Sequence, residues 1–143
     1  MRLFFAVLGL AALLPLGAAD AQVGQALQCN EETTGGIEFK DGSSSLLPFQ
    51  GDGFSMEFIS EVEMVMTHPK RPGSQTLGKQ ESFVCAKPYK DLQPMLYVCT
   101  LGAEMVAYDS MKKTFTWGYL FSENISTYGA PNSFVAVGRC SAS

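Results

Sequence analysis

The stretch from Phe54 to Thr67 constrains the fold more than any other, because apolar and polar residues alternate along it. Apolar residues occupy one parity, at Phe54, Met56, Phe58, Val62, Met64 and Met66. A period of two residues is typical of a strand with one buried face, whereas a helix would scatter the same residues around its circumference. A single strand of this length would span about 45 Å, longer than most strands. We therefore predict one antiparallel strand with a bend or bulge near Ile59 and Ser60.

Residues 1–21 have the pattern of a secretory signal peptide. Arg2 precedes an apolar run of about 14 residues, from Leu3 to Leu16, and small residues follow it as far as Ala21. This run is shorter than the roughly 20 residues that cross a bilayer. We expect cleavage after Ala21, no membrane span after the signal, and one periplasmic or secreted domain from residue 22 to residue 143.

The four cysteines all lie in the predicted mature chain. An even number of cysteines in a small exported domain indicates disulfides, and four cysteines allow three pairings. We favour Cys85 with Cys99, because they flank a short connection between two strand-like runs, and Cys29 with Cys140, because that bond would join the ends of the domain. The chain-entropy model gives about 3 kcal/mol for the shorter loop and about 5 kcal/mol for the longer one. The cysteines lack the paired spacing of a zinc site, so we predict no metal.

Short strand-like runs separated by turn residues fill the rest of the mature chain. They cover Ile37–Lys40, Glu81–Ala86, Met95–Cys99, Glu104–Tyr108, Thr114–Phe121 and Ser133–Cys140. Together with the alternating stretch they make about seven strands, and no convincing helix follows the signal. We predict an all-β domain tied by disulfides, either a small antiparallel barrel or a sandwich of two sheets.

Two stretches are candidate recognition elements. Phe115, Trp117 and Tyr119 share one face of a predicted strand, where they would form core or line the mouth of a ligand-binding barrel. The proline-rich stretch after Thr67 contains His68, Lys70 and Arg71 and predicts a surface loop, either a solubilising tip or a partner-binding element.

The charge of the chain limits its partners. The formal net charge is −4 at pH 7, so there is no general attraction for nucleic acid or for an anionic membrane. Glu57, Glu61 and Glu63 share the polar parity of the alternating stretch and form an acidic strip, which would suit a basic protein partner. Solvated glutamates on the wet face of a strand need no function, and a glycosidase pair of carboxylates is a weaker alternative.

Few features of the sequence support catalysis. His68 is the only histidine, no Gly-x-Ser-x-Gly motif occurs, and Gly35-Gly36 lacks the lysine and helix of a phosphate-binding loop. We predict a protein without cofactors that is not an enzyme. Asn124 begins an N-glycosylation sequon, which has meaning only in a host that glycosylates such sites.

Four segments of the mature chain carry a family resemblance: Thr-Gly-Gly-Ile-Glu-Phe after Cys29, Phe83–Cys85, Tyr97–Cys99, and the closing segment from Phe134 to Ser141. In these segments the chain resembles small four-cysteine periplasmic proteins of alphaproteobacteria. The resemblance implies an exported, disulfide-held domain in a Gram-negative periplasm, and it supplies no catalytic residue.

Three functions follow as hypotheses. The first is an exported, non-catalytic binding or inhibitor-like module that presents loops and the acidic strip to an envelope or extracellular protein, by analogy with small barrels that inhibit lysozyme. The second is a small-ligand carrier that uses the aromatic row. The third is a glycan-acting enzyme that uses the three glutamates.

Overall fold

The computed structural model describes residues 23–40, 43–48, 51, 53–68, 78–120 and 133–143. These ranges contain strands and turns, with no helix among them. The strands are β1 (Ala26–Lys40), β2 (Ser43–Pro48), β3 (Phe54–Ser60), β4 (Glu63–Thr67), β5 (Gln80–Ala86), β6 (Leu96–Leu101), β7 (Glu104–Asp109), β8 (Thr114–Leu120) and β9 (Ser133–Ala142). The all-β prediction is confirmed.

Eight of the nine strands form a closed antiparallel barrel. Each strand from β3 to β8 pairs with the next along the chain, and β1 pairs with both β3 and β9. The structure is therefore the barrel of the two predicted alternatives. In the described ranges β2 pairs only with β1, as an extra strand outside the ring.

Strand β1 is longer than predicted and changes partners along its length. Ala26–Cys29 pairs with β3, and Gly35–Lys40 pairs with β2. The opposite edge of β1 pairs with β9, with one register shift between Glu31 and Thr33. Only Ile37–Lys40 was predicted as strand in this region, whereas residues 26–36 are also strand and Ser43–Pro48 forms β2.

The stretch from Phe54 to Thr67 is a hairpin, so the prediction of one long strand was wrong. The chain turns at Glu61 and Val62 between β3 and β4. The register shift predicted near Ile59 and Ser60 is present, between Phe58 and Ser60. Because one extra residue is inserted there, apolar residues of equal parity still lie opposite each other, and both strands turn their apolar side chains into the barrel.

Side chains fill the barrel interior. The buried residues include Phe54, Met56, Phe58, Met64, Met66, Phe83, Tyr97, Val106, Tyr108 and Phe115. Ring centroids lie 4.9 Å apart for Phe54 and Phe115 and 4.8 Å apart for Phe58 and Tyr97. An eight-stranded barrel is just wide enough for side chains to fill it, so this core is the expected packing for the ring size.

Both predicted disulfides are present. Cys29–Cys140 joins directly opposed residues of β1 and β9, and Cys85–Cys99 joins directly opposed residues of β5 and β6. The Cα–Cα distances are 4.0 and 3.9 Å, which correspond to the non-hydrogen-bonded pairs where antiparallel strands approach most closely. The two seams lie on opposite sides of the ring, with four barrel strands between them in either direction.

Gly138 in β9 allows close contact with the irregular part of β1. A Cβ atom at this position would lie 2.0 Å from the backbone oxygen of Asn30 and 2.9 Å from Cε1 of Phe115. The backbone oxygen cannot rotate away as the end of a side chain could. Only glycine fits here without moving the two strands apart.

We expect Gly138→Ala to lower the free energy of unfolding by about 1–3 kcal/mol, because the added methyl group overpacks this contact. Urea denaturation of the disulfide-intact protein measures the change. Gly35→Ala in β1 is the matched control, since nothing lies within 4 Å of its Cβ position. That change should stay within about 0.5 kcal/mol. Similar losses in both variants would contradict the proposed contact.

Candidate functional site

The two ends of the barrel differ in chemistry. The mouth is the barrel end at which β4 and β8 finish and β5 and β9 start. The opposite end carries the connections β3–β4, β5–β6 and β7–β8. Polar side chains continue the inward parity of the core strands at the mouth. The mouth cluster consists of His68, Lys79, Glu81, Glu104 and Trp117.

Glu81 holds the centre of the mouth cluster through both carboxylate oxygens. It follows the parity of the buried Phe83, and its Oε2 accepts a hydrogen bond from Nε2 of His68 at 2.9 Å. Its Oε1 pairs with the ammonium group of Lys79. Burial opposes ionisation of Glu81, but the hydrogen bonds from Lys79 and His68 outweigh it, so the pKa of Glu81 is lowered.

The pKa of Glu104 is shifted in the opposite direction from that of Glu81. Burial, followed by the negative charge of Glu81, raises the pKa of Glu104. The indole group of Trp117 lies close enough to favour the ionised carboxylate, yet Oε2 of Glu104 and Nε1 of Trp117 are both buried without a hydrogen-bond partner. A donor and an acceptor therefore lie near each other at the mouth without completing a well-aligned hydrogen bond.

Trp117 separates the apolar core from the polar mouth. Its ring centroid lies 5.3 Å from that of Phe54, 4.7 Å from that of Phe134 and 5.4 Å from that of His68. Of the three predicted ligand-lining aromatics, Phe115 is core and Trp117 is partly buried at the mouth. The backbone of Tyr119 pairs with Glu104, while its side chain lies outside the described residues.

The acidic strip lies on the outer wall of the β3–β4 hairpin. Glu57 is opposite Val65, Glu63 is opposite Val84 of β5, and Glu61 is in the turn. The hairpin brings the three glutamates together across two strands rather than along one. None of them forms an ion pair with another described residue. A shallow outer groove of about 180 Å³ beside the strip is lined by only one of the three, Glu57.

Apolar side chains accompany these glutamates on the outside of the barrel. Ile59 is 47% exposed, Val62 is 63% exposed and Val84 is 71% exposed. We define the hairpin patch as these three residues together with the three glutamates, namely Glu57, Ile59, Glu61, Val62, Glu63 and Val84. An exposed apolar centre with charged neighbours is typical of a protein-binding surface.

Several predicted features lie outside the described residues. They are the signal peptide ending at Ala21, the basic residues Lys70 and Arg71, and the sequon at Asn124. His68 is described, and it bonds to Glu81 instead of standing alone in a loop. The sequence interpretation did not single out Glu81 or Glu104, although each continues the inward parity of its strand.

No group of three or more histidine, cysteine, aspartate or glutamate side chains in the described part of the chain is placed to hold a metal ion. Within the same ranges no helix is long and apolar enough to cross a membrane. Comparison with protein-family models, curated proteins and solved structures gave no match.

We expect Glu104→Gln to raise the free energy of unfolding at pH 7, because the amide removes a buried charge beside Glu81. The pKa of Glu104 is raised on folding, so its stabilising contribution is present at low pH and is lost as the pH rises through the folded-state pKa. The increase in the free energy of unfolding of the variant over the wild type should therefore disappear below about pH 4, where the wild-type side chain is also neutral. Urea denaturation at both pH values measures this, and an equal gain at both would contradict the electrostatic explanation.

Proposed function

We propose that the protein is an exported, non-catalytic binding module whose hairpin patch recognises a basic protein partner. Two disulfides suit an oxidising compartment outside the cytoplasm. A domain with these crosslinks and a filled core loses little conformational entropy when it binds, because its surface is already ordered.

The observation that supports this proposal is the composition of the hairpin patch. Glu57, Glu61 and Glu63 have no intramolecular ion partner in the described ranges, so they are available to cations on another protein. The neighbouring Val62 and Val84 supply apolar area that a partner can cover. The charges would set specificity and association rate, and the apolar centre would contribute most of the affinity.

We expect Glu57→Lys/Glu61→Lys/Glu63→Lys to weaken binding to a basic protein at least about ten-fold, since attraction becomes repulsion. A basic lysozyme is the probe, and titration calorimetry at low and high salt is the measurement. Wild-type affinity should fall as salt rises, and the variant should lose this dependence.

The matched control compares two double variants of equal charge change. Glu61→Lys/Glu63→Lys lies in the hairpin patch, and Glu32→Lys/Asp91→Lys lies elsewhere on the surface. Only the first pair should reduce binding. Lysozyme affinity that survives the triple reversal would exclude the hairpin patch as the binding surface for this probe.

A second candidate function, binding of a small polar ligand at the mouth, is favoured by one observation. Oε2 of Glu104 and Nε1 of Trp117 are buried without a partner, so a saccharide hydroxyl that enters beside the indole could donate to Oε2 and accept from Nε1–H. Because the core occupies the barrel interior, such a ligand would lie against the indole ring at the mouth. The carrier hypothesis therefore reduces to a surface site at Trp117.

Trp117 is the only tryptophan, so its emission reports on this site alone. We expect a saccharide that binds there to shift or quench the emission, and Glu104→Leu to weaken the effect because the carboxylate acceptor is lost. Titration with a panel of saccharides and apolar probes is the measurement. No change across the panel would count against the carrier hypothesis.

A further inference from the structure

Two of the three connections at the barrel end opposite the mouth carry an excess of positive charge, while the third, β3–β4, carries Glu61. The connections β5–β6 and β7–β8 carry Lys87, Lys90, Lys112 and Lys113, with Asp91 and Asp109 as the acidic residues. Four positive and two negative groups give a local charge of +2, whereas the whole chain has −4. We call residues 87–95 and 109–113 the turn platform.

Hydrogen bonds make the two connections one structural unit. The backbone N–H of Ser110 donates to the oxygen of Met95 at 3.0 Å, and Oγ of Ser110 donates to the same oxygen at 3.3 Å. Ser110 is completely buried and Met95 is 8% exposed. Oδ1 of Asp109 accepts bonds from the backbone N–H groups of Met111 and Lys112, which fixes the second turn.

Three large apolar side chains project from this rigid unit into solvent. Leu92 is 85% exposed, Met111 is 67% exposed and Tyr89 is 55% exposed. They alternate with the lysines in sequence and lie in two connections that contact each other. Exposed apolar tips among lysines are the combination that binds the interface of an anionic bilayer.

We infer that the turn platform binds the surface of an anionic lipid bilayer. Leu92, Met111 and Tyr89 would enter the headgroup region. Lys90 and Lys113 would lie against lipid phosphates, with their aliphatic stems along the same apolar surface. The ammonium group of Lys112 pairs with Asp109 at 3.3 Å. Charge complementarity argues for lipid phosphate as the occupant. The turn platform shares no residue with the hairpin patch, although both lie at the same end of the barrel, and the inference does not rest on the proposed protein partner.

Vesicle flotation with the disulfide-intact domain tests this inference. The probes are vesicles of phosphatidylcholine alone and of phosphatidylcholine mixed with phosphatidylglycerol. We expect the protein to bind only the mixed vesicles and to dissociate as salt is raised. Leu92→Asp/Met111→Asp and Lys90→Glu/Lys113→Glu should each lower the partition coefficient at least about ten-fold.

Matched controls come from other exposed positions. Leu46 of β2 is 82% exposed and Arg139 of β9 is 73% exposed at its side chain, so Leu46→Asp and Arg139→Glu repeat the same chemistry away from the platform. Both should bind mixed vesicles like the wild type. Circular dichroism of every variant checks that the barrel is intact.

Three results would overturn the inference. Failure to bind either vesicle excludes a lipid surface, and platform-dependent binding of polyglutamate in that case would assign the platform to an acidic protein. Equal binding to both vesicle types would exclude charge complementarity with the phosphates. Equal losses in the platform variants and in the controls would exclude the platform as the contact.

Discussion

Pairing of β1 with β9 is the constraint on which the rest of the structure depends, because it turns an open sheet into a barrel. The two strands pair from Leu27 with Ala142 to Ile37 with Ser133, and Cys29–Cys140 locks the pairing. Without this seam both strands would present free edges, and the aromatic core would lose one wall. The absence of a side chain at Gly138 lets the strands approach at the irregular part of β1.

The closed ring then distributes three different surfaces around one core. Carboxylates and valines lie together on the β3–β4 hairpin and the adjacent part of β5, and a partly buried polar cluster lies at the mouth. Lysines with apolar tips lie on the β5–β6 and β7–β8 connections. The net charge of −4 averages over these surfaces and describes none of them. The net charge therefore governs the long-range electrostatics of the whole protein, while recognition at each surface depends on the charged residues that the strands and turns place there.

Local patterns predicted much of the fold. Alternation predicted the inward residues of β3 and β4, and the strand-like runs beside Cys85 and Cys99 predicted that disulfide. The hairpin turn was missed because Glu61 and Val62 are not typical turn residues. Strand β2 was missed because its serines and Pro48 are typical of a loop. The choice of barrel over sandwich depends on the contact between the first and last strands, which no local pattern contains.

The candidate sites were also predictable only where a local sequence pattern places their residues. Glu57, Glu61 and Glu63 share a parity, so the sequence placed them on one outer face, although a hairpin and not a single strand assembles them. The mouth cluster includes residues from β5, β7 and β8. Only the strand register shows that Glu81 and Glu104 are close enough for their negative charges to repel each other. The contact between Met95 and Ser110 that unites the turn platform is likewise invisible without the tertiary structure.

The two opposed disulfides make the domain a covalent ring. A path along the chain from Cys29 to Cys85, across to Cys99, on to Cys140 and back to Cys29 closes on itself without using residues 86–98. A backbone break within the β5–β6 connection would therefore leave one covalent molecule, with both halves of the barrel still joined at both seams. That connection is the part of the chain where a protease could cut, or a new segment be inserted, while the ring itself stays whole.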